Sequence, residues 1–301
     1  MKLRFDSNRK QPDPFMFEAN GRFYLYVTAP DGVEAYSADS PFSCWHYEGI
    51  VCKVEGWYQY WAPCIIEEDG WFYLYYSCYN DEMPQCLHVS RAKSPLGPFG
   101  ETKRLFDRFS IDPHVVKTGA GLFLWYAEDN LKSERVGTRV FVDRLLTPYL
   151  PAYRPVEAVV PSLEEEIFCR NRYGDGVDYY TLEGPFWLAQ GEWQYLMYSG
   201  GCYANDTYHI GYAAARTEEQ DLTKVRFVKH TDHGKFDPLL ICNDFEEGTG
   251  HHSVIRYQGE YYAVYHGRDI DAGQGEQRTA RICKLKIADG VITAERYADR
   301  V

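Results

Sequence analysis

Asp69-Gly70-Trp71-Phe72-Tyr73-Leu74-Tyr75-Tyr76 sets a two-residue turn in front of six consecutive large apolar side chains. Glycine accepts φ > 0 at no steric cost, so Asp-Gly before such a run predicts a tight hairpin. The pattern recurs along the chain. Asn20-Gly21 leads into Phe23-Tyr24-Leu25-Tyr26-Val27, Gly119-Ala120-Gly121 into Leu122-Phe123-Leu124-Trp125-Tyr126, Gln190-Gly191-Glu192 into Trp193-Gln194-Tyr195-Leu196-Met197-Tyr198, and Gln258-Gly259-Glu260 into Tyr261-Tyr262-Ala263-Val264-Tyr265. Each copy continues into a further strand: Val33 to Ala38, Cys86 to Ala92, Arg139 to Asp143, His209 to Ala214 and Ala280 to Leu285. Three or four short antiparallel strands, repeated five times, predict an all-β fold, a five-bladed β-propeller whose closure protects the sheet edges. The repeats occupy nearly all of residues 1–301, so a single propeller domain is expected, with Gly290 to Val301 supplying a last strand.

Composition agrees. The 301 residues include 26 Tyr, 16 Phe and 7 Trp against 4 Met, a balance that suits pleated, half-buried sheet surfaces rather than helical interfaces. The formal charge of −12 has the wrong sign for neutralising phosphates, so no nucleic-acid partner is expected. No window approaches the roughly 18 apolar residues of a membrane span, and Met1-Lys2-Leu3-Arg4-Phe5-Asp6 has no apolar leader, so no membrane partner and a cytoplasmic chain are expected. Nine cysteines, scattered without a CxxC pair, read as reduced thiols. The sequence does not specify an oligomeric state.

In a propeller the innermost strands converge on one axis. Five segments lead into those strands: Gln11-Pro12-Asp13-Pro14-Phe15, Tyr60-Trp61-Ala62-Pro63-Cys64, Ser110-Ile111-Asp112-Pro113-His114, Thr181-Leu182-Glu183-Gly184-Pro185-Phe186 and Gly250-His251-His252-Ser253-Val254. Aligned, they bring Asp13, Asp112 and Glu183 together, with a His pair from the fifth. Three acids in one place cannot all ionise freely, so at least one should titrate high. That combination suits glycoside hydrolysis with inversion, in which one carboxylate activates water and a protonated carboxyl roughly 6.5–9.5 Å away protonates the leaving oxygen.

Taken together, Asp13-Pro14, Trp61-Ala62-Pro63, Ile111-Asp112-Pro113, Glu183-Gly184-Pro185 and Gly248-Thr249-Gly250-His251-His252-Ser253 resemble the glycoside hydrolase family 43 pattern across essentially the whole chain. The resemblance implies a propeller that cleaves arabinofuranosyl or xylosyl links with inversion. By it, Asp13 is the general base, Asp112 tunes and orients the acid, and Glu183 is the general acid. It also offers His251 as an axial histidine that helps hold a structural Ca²⁺, mostly through water, with no other cofactor required. On the final strand Arg278, rather than Arg281, is the arginine expected to reach the sugar or the acid.

Trp61, with Trp57, Tyr58 and Tyr60 nearby, could offer a sugar its apolar face. Phe186 and Tyr208 are further substrate-binding candidates, and Tyr79 a weaker one. The Pro-marked stretch from Asp129 to Asp178, carrying Glu164-Glu165-Glu166, is expected partly to complete blade three and partly to run over one face, closing a pocket for exo action on an oligosaccharide. Two other readings stay open. One is a retaining fructosidase-type propeller, although Pro12 precedes Asp13 and Gly184 follows Glu183 where those enzymes have Asn and Cys; the other is a sugar-binding propeller without turnover.

Overall fold

A computed structural model of the chain describes residues 1–273 and 276–296. Blade one runs from β1 (Arg4–Phe5) and β2 (Phe15–Ala19) through β3 (Arg22–Val27), β4 (Val33–Ala38) and β5 (Cys44–Cys52). Blade two is β6 (Tyr58–Glu68), β7 (Trp71–Tyr79), β8 (Cys86–Ala92) and β9 (Gly100–Arg104). Blade three starts with β10 (Ile111–Thr118), β11 (Gly121–Asn130) and β12 (Gly137–Thr147) and adds β13 (Leu150–Pro151), β14 (Val156–Val159), β15 (Ile167–Cys169) and β16 (Tyr179–Tyr180). Blade four is β17 (Leu182–Gln190), β18 (Trp193–Gly200), β19 (His209–Arg216) and β20 (Val228–Lys229). Blade five is β21 (Glu246–Tyr257), β22 (Glu260–Asp269), β23 (Thr279–Ala288) and β24 (Val291–Glu295). These are five separate sheets, each ordered from the inner strand outwards, and together they make a five-bladed β-propeller. No helix among the described residues is long and apolar enough to cross a membrane.

The aromatic runs form the second strand of every blade, and their lack of a polar face has a direct cause. Successive strand residues point to opposite faces, and here both faces are covered by a neighbouring blade. Leu74 and Tyr76 pack with Tyr26 and Tyr60 between blades one and two, whereas Tyr75 packs with Leu124 and Tyr126 between blades two and three. Phe123 and Trp125 turn the other way, to Leu196 and Ala213 of blade four. Tyr195 and Met197 meet Ala263 and Tyr265 between blades four and five, and Val264 meets Leu25 and Trp45 between blades five and one. Each junction thus has its own apolar core. With ~1.5–3 kcal/mol for every fully buried large side chain, these junctions dominate the stability of the ring.

The turns behave as their sequences require. Both residues of Asn20-Gly21, Asp69-Gly70 and Gln258-Gly259 have positive φ, as a two-residue hairpin turn demands. The ring is closed by the N-terminus. The Leu3 N–H donates to Ala280 O and the Ile282 N–H to Met1 O, after which β1 lies parallel to β5 on the outer edge of blade one.

One expectation is corrected. The 129–178 stretch does not fold over the mouth of the ring: β14 pairs with β12, and β15 and β16 extend the same blade sideways. Its prolines cap short outer strands, where a missing N–H costs no ladder bond.

Candidate active site

The first residue of each inner-strand turn carries a backbone signature that composition does not reveal. Asp13, Ala62, Asp112, Gly184 and His251 occupy equivalent positions, and all five are left-handed, with φ of 53°, 46°, 59°, 56° and 45°. In blades two to five the pairing with the second strand slips at this point. A non-glycine residue in this conformation costs about 1–2 kcal/mol, and such strain persists only where surrounding structure over-determines it.

The compensating contacts run between blades. Freed from its own ladder, the Ala62 N–H donates to Thr28 Oγ1 at 2.8 Å, the Gly184 N–H to Asp112 Oδ2 at 2.9 Å, the His251 N–H to Ser199 Oγ at 2.8 Å and the Asp13 N–H to His266 Nδ1 at 3.1 Å. In each case the acceptor belongs to the preceding blade around the ring. The bulge therefore stitches blades together and aims the neighbouring side chains into the central funnel. Two glycines are required here. A Cβ on Gly184 would sit 3.3 Å from His251 Nδ1, and one on Gly250 would lie 2.0 Å from the Tyr208 ring.

The funnel is a cavity of about 420 Å³ into which Asp13, Asp112, Glu183, His251, Trp61 and Arg278 all project. The three acids predicted from the repeat thus meet in one place. Their environments differ sharply. Asp13 Oδ2 accepts from Thr28 Oγ1 at 2.6 Å, and Oδ1 lies 3.1 Å from Arg278 Nη1 and 3.1 Å from His266 Nδ1. Burial pushes its carboxyl up, but the Arg278 guanidinium outweighs that and holds it well below the usual carboxylate range. Burial keeps His251 below its ordinary value and brings His266 down to about 4, so at neutral pH Arg278 is the cation that matters. Arg278 is itself gripped by Glu276, with Nη2 to Oε2 at 2.7 Å and Nε to Oε1 at 3.0 Å.

Among the described residues Glu183 makes no ion pair. Burial, reinforced by the charge of Asp13, raises it to about 7, although the Tyr208 O–H, which donates to its Oε1 at 2.6 Å, and the more distant Arg278 charge favour the ionised form. Asp112 is pushed up by burial and by the neighbouring Glu183 and Asp13, and it holds the backbone of the acid's own loop through Gly184.

Other expected residues land elsewhere. Phe186 does not line the funnel. It sits below, in an axial cavity of about 10 Å³, stacked on His114 at 4.2 Å between ring centroids. Tyr208 is fully buried behind Glu183, where it can orient the acid but cannot touch a sugar. Tyr79 pairs with Tyr58 on the exposed side of blade two, Trp57 packs on His88, and Arg281 is locked between Glu246 and Asp269.

The expected calcium finds a poor fit. Asp112, Glu183 and His251 form the one group among the described residues whose ligand atoms lie within 4.8 Å of one another. Two carboxylates and a nitrogen would leave most of the roughly six to eight oxygens calcium takes to be supplied by water. One oxygen of each acid is already engaged, Asp112 Oδ2 by the Gly184 N–H and Glu183 Oε1 by the Tyr208 O–H, and His251 Nδ1 faces Asp13 Oδ1 at 3.5 Å and Asp112 Oδ2 at 3.8 Å. The axial cavity beneath has room for about one water.

Several funnel residues escaped the sequence reading. Thr28 and His266 occupy one repeat position, the residue just after the aromatic run, so carrying the alignment one residue further would have found both. Gln59 sits at the irregular start of β6, where the pairing slips, and Tyr203 and Glu276 sit on loops, so none of the three has a counterpart to align. None of residues 129–178 lines the cavity, but Phe168 lies against the Tyr203 ring at 6.4 Å and so supports a wall from behind.

A propeller with two buried carboxyls driven to opposite protonation states in one funnel is the layout of an acid–base hydrolase. Residues 7–292 match the model of glycosyl hydrolases family 43, and the chain belongs to that family and is a glycoside hydrolase. It is 22% identical to xylosidase/arabinosidase 43A of Humicola insolens, over 94% of this chain and 96% of that protein. It is 25% identical to the extracellular exo-alpha-(1->5)-L-arabinofuranosidase ArbA of Cellvibrio japonicus, over 84% and 78%. Among solved structures, a thermostable family-43 glycoside hydrolase superposes with a TM-score of 0.80 at 27% identity, covering 95% of this chain and 93% of that one.

Proposed function

We propose that this glycoside hydrolase is an exo-acting, inverting pentosidase that removes terminal α-L-arabinofuranosyl or β-D-xylosyl residues from oligosaccharides. The observation that carries the reading is the opposite tuning of Asp13 and Glu183. Arg278 and Thr28 keep Asp13 ionised, as a base must be, while burial keeps Glu183 protonated up to about pH 7, as an acid must be.

In this mechanism Asp13 takes a proton from a water as the water's oxygen bonds to the anomeric carbon. The glycosidic bond breaks on the opposite face, and its oxygen leaves with the proton of Glu183. Asp112, itself pushed up by burial and by Glu183 and Asp13, holds the acid's loop through the Gly184 N–H. Trp61 offers the sugar an apolar face and His251 a polar one. All of these steps are performed by side chains of the chain itself.

The choice of pentose and the exo mode draw on the relatives' names, xylosidase/arabinosidase and exo-alpha-(1->5)-L-arabinofuranosidase. A panel of nitrophenyl arabinofuranosides, xylosides and fructosides tests the substrate, and NMR of the first-formed anomer tests the mechanism. Release of a pentose of inverted configuration is expected. Retained configuration would remove Asp13 as the base, and activity confined to fructosides would favour the other propeller class.

A further inference from the structure

The acidic run Glu164-Glu165-Glu166 has no part in the chemistry above, yet its last member is wholly buried. Both of its carboxylate oxygens are occupied. Oε2 accepts the Ser162 N–H at 2.6 Å and the Leu163 N–H at 3.0 Å. Oε1 is paired with Lys229 Nζ, which comes from β20 of blade four and also donates to Ser162 Oγ at 2.9 Å. Lys229 is nearly as deep, with 13% of its side chain exposed, and lies over the Tyr198 ring at 5.3 Å. Such a pair gives up the hydration of two charges, and well-packed apolar residues in its place would often be as stable. What it adds is a fixed position: each carboxylate oxygen has its own donors, so the 162–166 turn is held in one register against blade four.

That turn is fastened to the strand that carries the acid. The Glu166 carbonyl accepts the Thr181 N–H at 2.8 Å, the Leu182 N–H donates to Thr138 Oγ1 at 3.2 Å, and the Gly184 N–H donates to Asp112 Oδ2 at 2.9 Å. The N–H groups on both sides of Glu183 are therefore held by acceptors of blade three. On its other flank Glu183 pairs with Ser199 and Leu182 with Gly200 of β18, and a Cβ on Gly200 would lie 3.4 Å from Glu166 Cγ. Resting on Glu183 as the general acid, we propose that Glu166 and Lys229 are positioning residues for it. Their ion pair clamps the blade-three excursion to blade four and, through the Glu166 carbonyl, sets where β17 begins and so where the Glu183 carboxyl stands. Neither touches substrate. The excursion then serves the chemistry from outside the funnel.

The test uses the one step that needs the proton of Glu183. Dinitrophenolate leaves without protonation, whereas phenolate leaves slowly unless protonated, so the two aryl glycosides of the preferred pentose report a misplaced acid as a ratio. That ratio does not depend on how much of a preparation is folded. In the charge-free variant Glu166→Gln with Lys229→Met, kcat/KM on the phenyl glycoside is expected to fall about three- to tenfold while the dinitrophenyl glycoside changes less than twofold. Lys229→Met alone decides the matter in the same way if the double variant does not fold. Equal losses on both substrates, no loss on either, or failure of both variants to fold would make the pair purely structural and overturn the proposal. Glu183→Gln checks the assignment beneath it and should lose the phenyl glycoside far more than the dinitrophenyl one. If it does not, Glu183 is not the acid, and the positioning role falls with it.

Discussion

Two rings of residues lie two positions apart on the same five inner strands, and they could hardly differ more. Of the upper ring, Asp13, Ala62, Asp112, Gly184 and His251, the three polar members Asp13, Asp112 and His251 border the cavity of about 420 Å³, which Glu183, Glu276 and the Arg278 guanidinium also line. The lower ring begins with Phe15, His114 and Phe186, walled by Pro14, Pro63, Pro113 and Pro185 around about 10 Å³. Even the titratable groups around the lower ring are forced neutral, burial bringing His114 down to about 4 and His252, which stands where the other four blades have proline and has His251 and His114 near it, to about 3. Distance from the axis is therefore not what makes a funnel residue chemically active. The upper ring combines an open cavity, one buried cation and a backbone reversal that turns side chains towards the axis, while the prolines and rings below it provide a tightly packed base.

The largest expected effect breaks the upper ring. Asp13→Asn and Glu183→Gln should each lower kcat/KM by about 10²–10⁴, the range of one general acid or base, with thermal unfolding little changed. Wild-type turnover in either variant would take that carboxyl out of the chemistry. Breaking the lower ring should do the reverse. Phe186→Ala removes a ring from a site that cannot collapse, so a loss of about 3–5 kcal/mol in denaturant unfolding is expected while the folded fraction keeps its kcat within a few-fold. A collapse of kcat at full stability would mean that Phe186 acts on substrate after all.

Gly184→Ala probes the link between the rings. Its left-handed backbone and the close approach of His251 predict a stability loss of about 1–2 kcal/mol, and a displaced acid should lower kcat by up to about 10². Unfolding and kinetics on one preparation check both, and an unaffected kcat would show that the Gly184 to Asp112 bond does not position Glu183.

The smallest effect sharpens the electrostatics. Because Glu183 must be protonated to act, kcat/KM should fall as pH rises through about 7. The Tyr208 O–H favours the ionised acid, so Tyr208→Phe should move this alkaline limb to higher pH with only a modest change in maximal rate. Movement to lower pH would contradict the assignment of that limb to Glu183.

The five aromatic runs and their turns were legible because both faces of each second strand are buried, which leaves an unbroken apolar signature. Asp13, Asp112 and Glu183 were legible because a repeat marks equivalent positions even when it cannot measure distances. Phe186 and Tyr208 were misplaced for one reason: pattern shows that a residue is near the axis but not whether it lies above, below or behind the acids. Thr28 and His266 lay one residue beyond the motif used to align the blades. Tyr203 and Glu276 carry no periodic signal, since loop residues are chosen for the wall they build and not for a strand they pair with.

What the sequence determined alone is the ring: unbroken apolar runs and turn chemistry are local, and five copies of one local solution close on themselves. Tertiary structure decided which carboxyl holds its proton and which gives it up. That depends on Arg278 arriving from 265 positions along the chain to bond Asp13 directly, while at Glu183 burial and the Asp13 charge outweigh its weaker field, a difference that exists only after the blades have met.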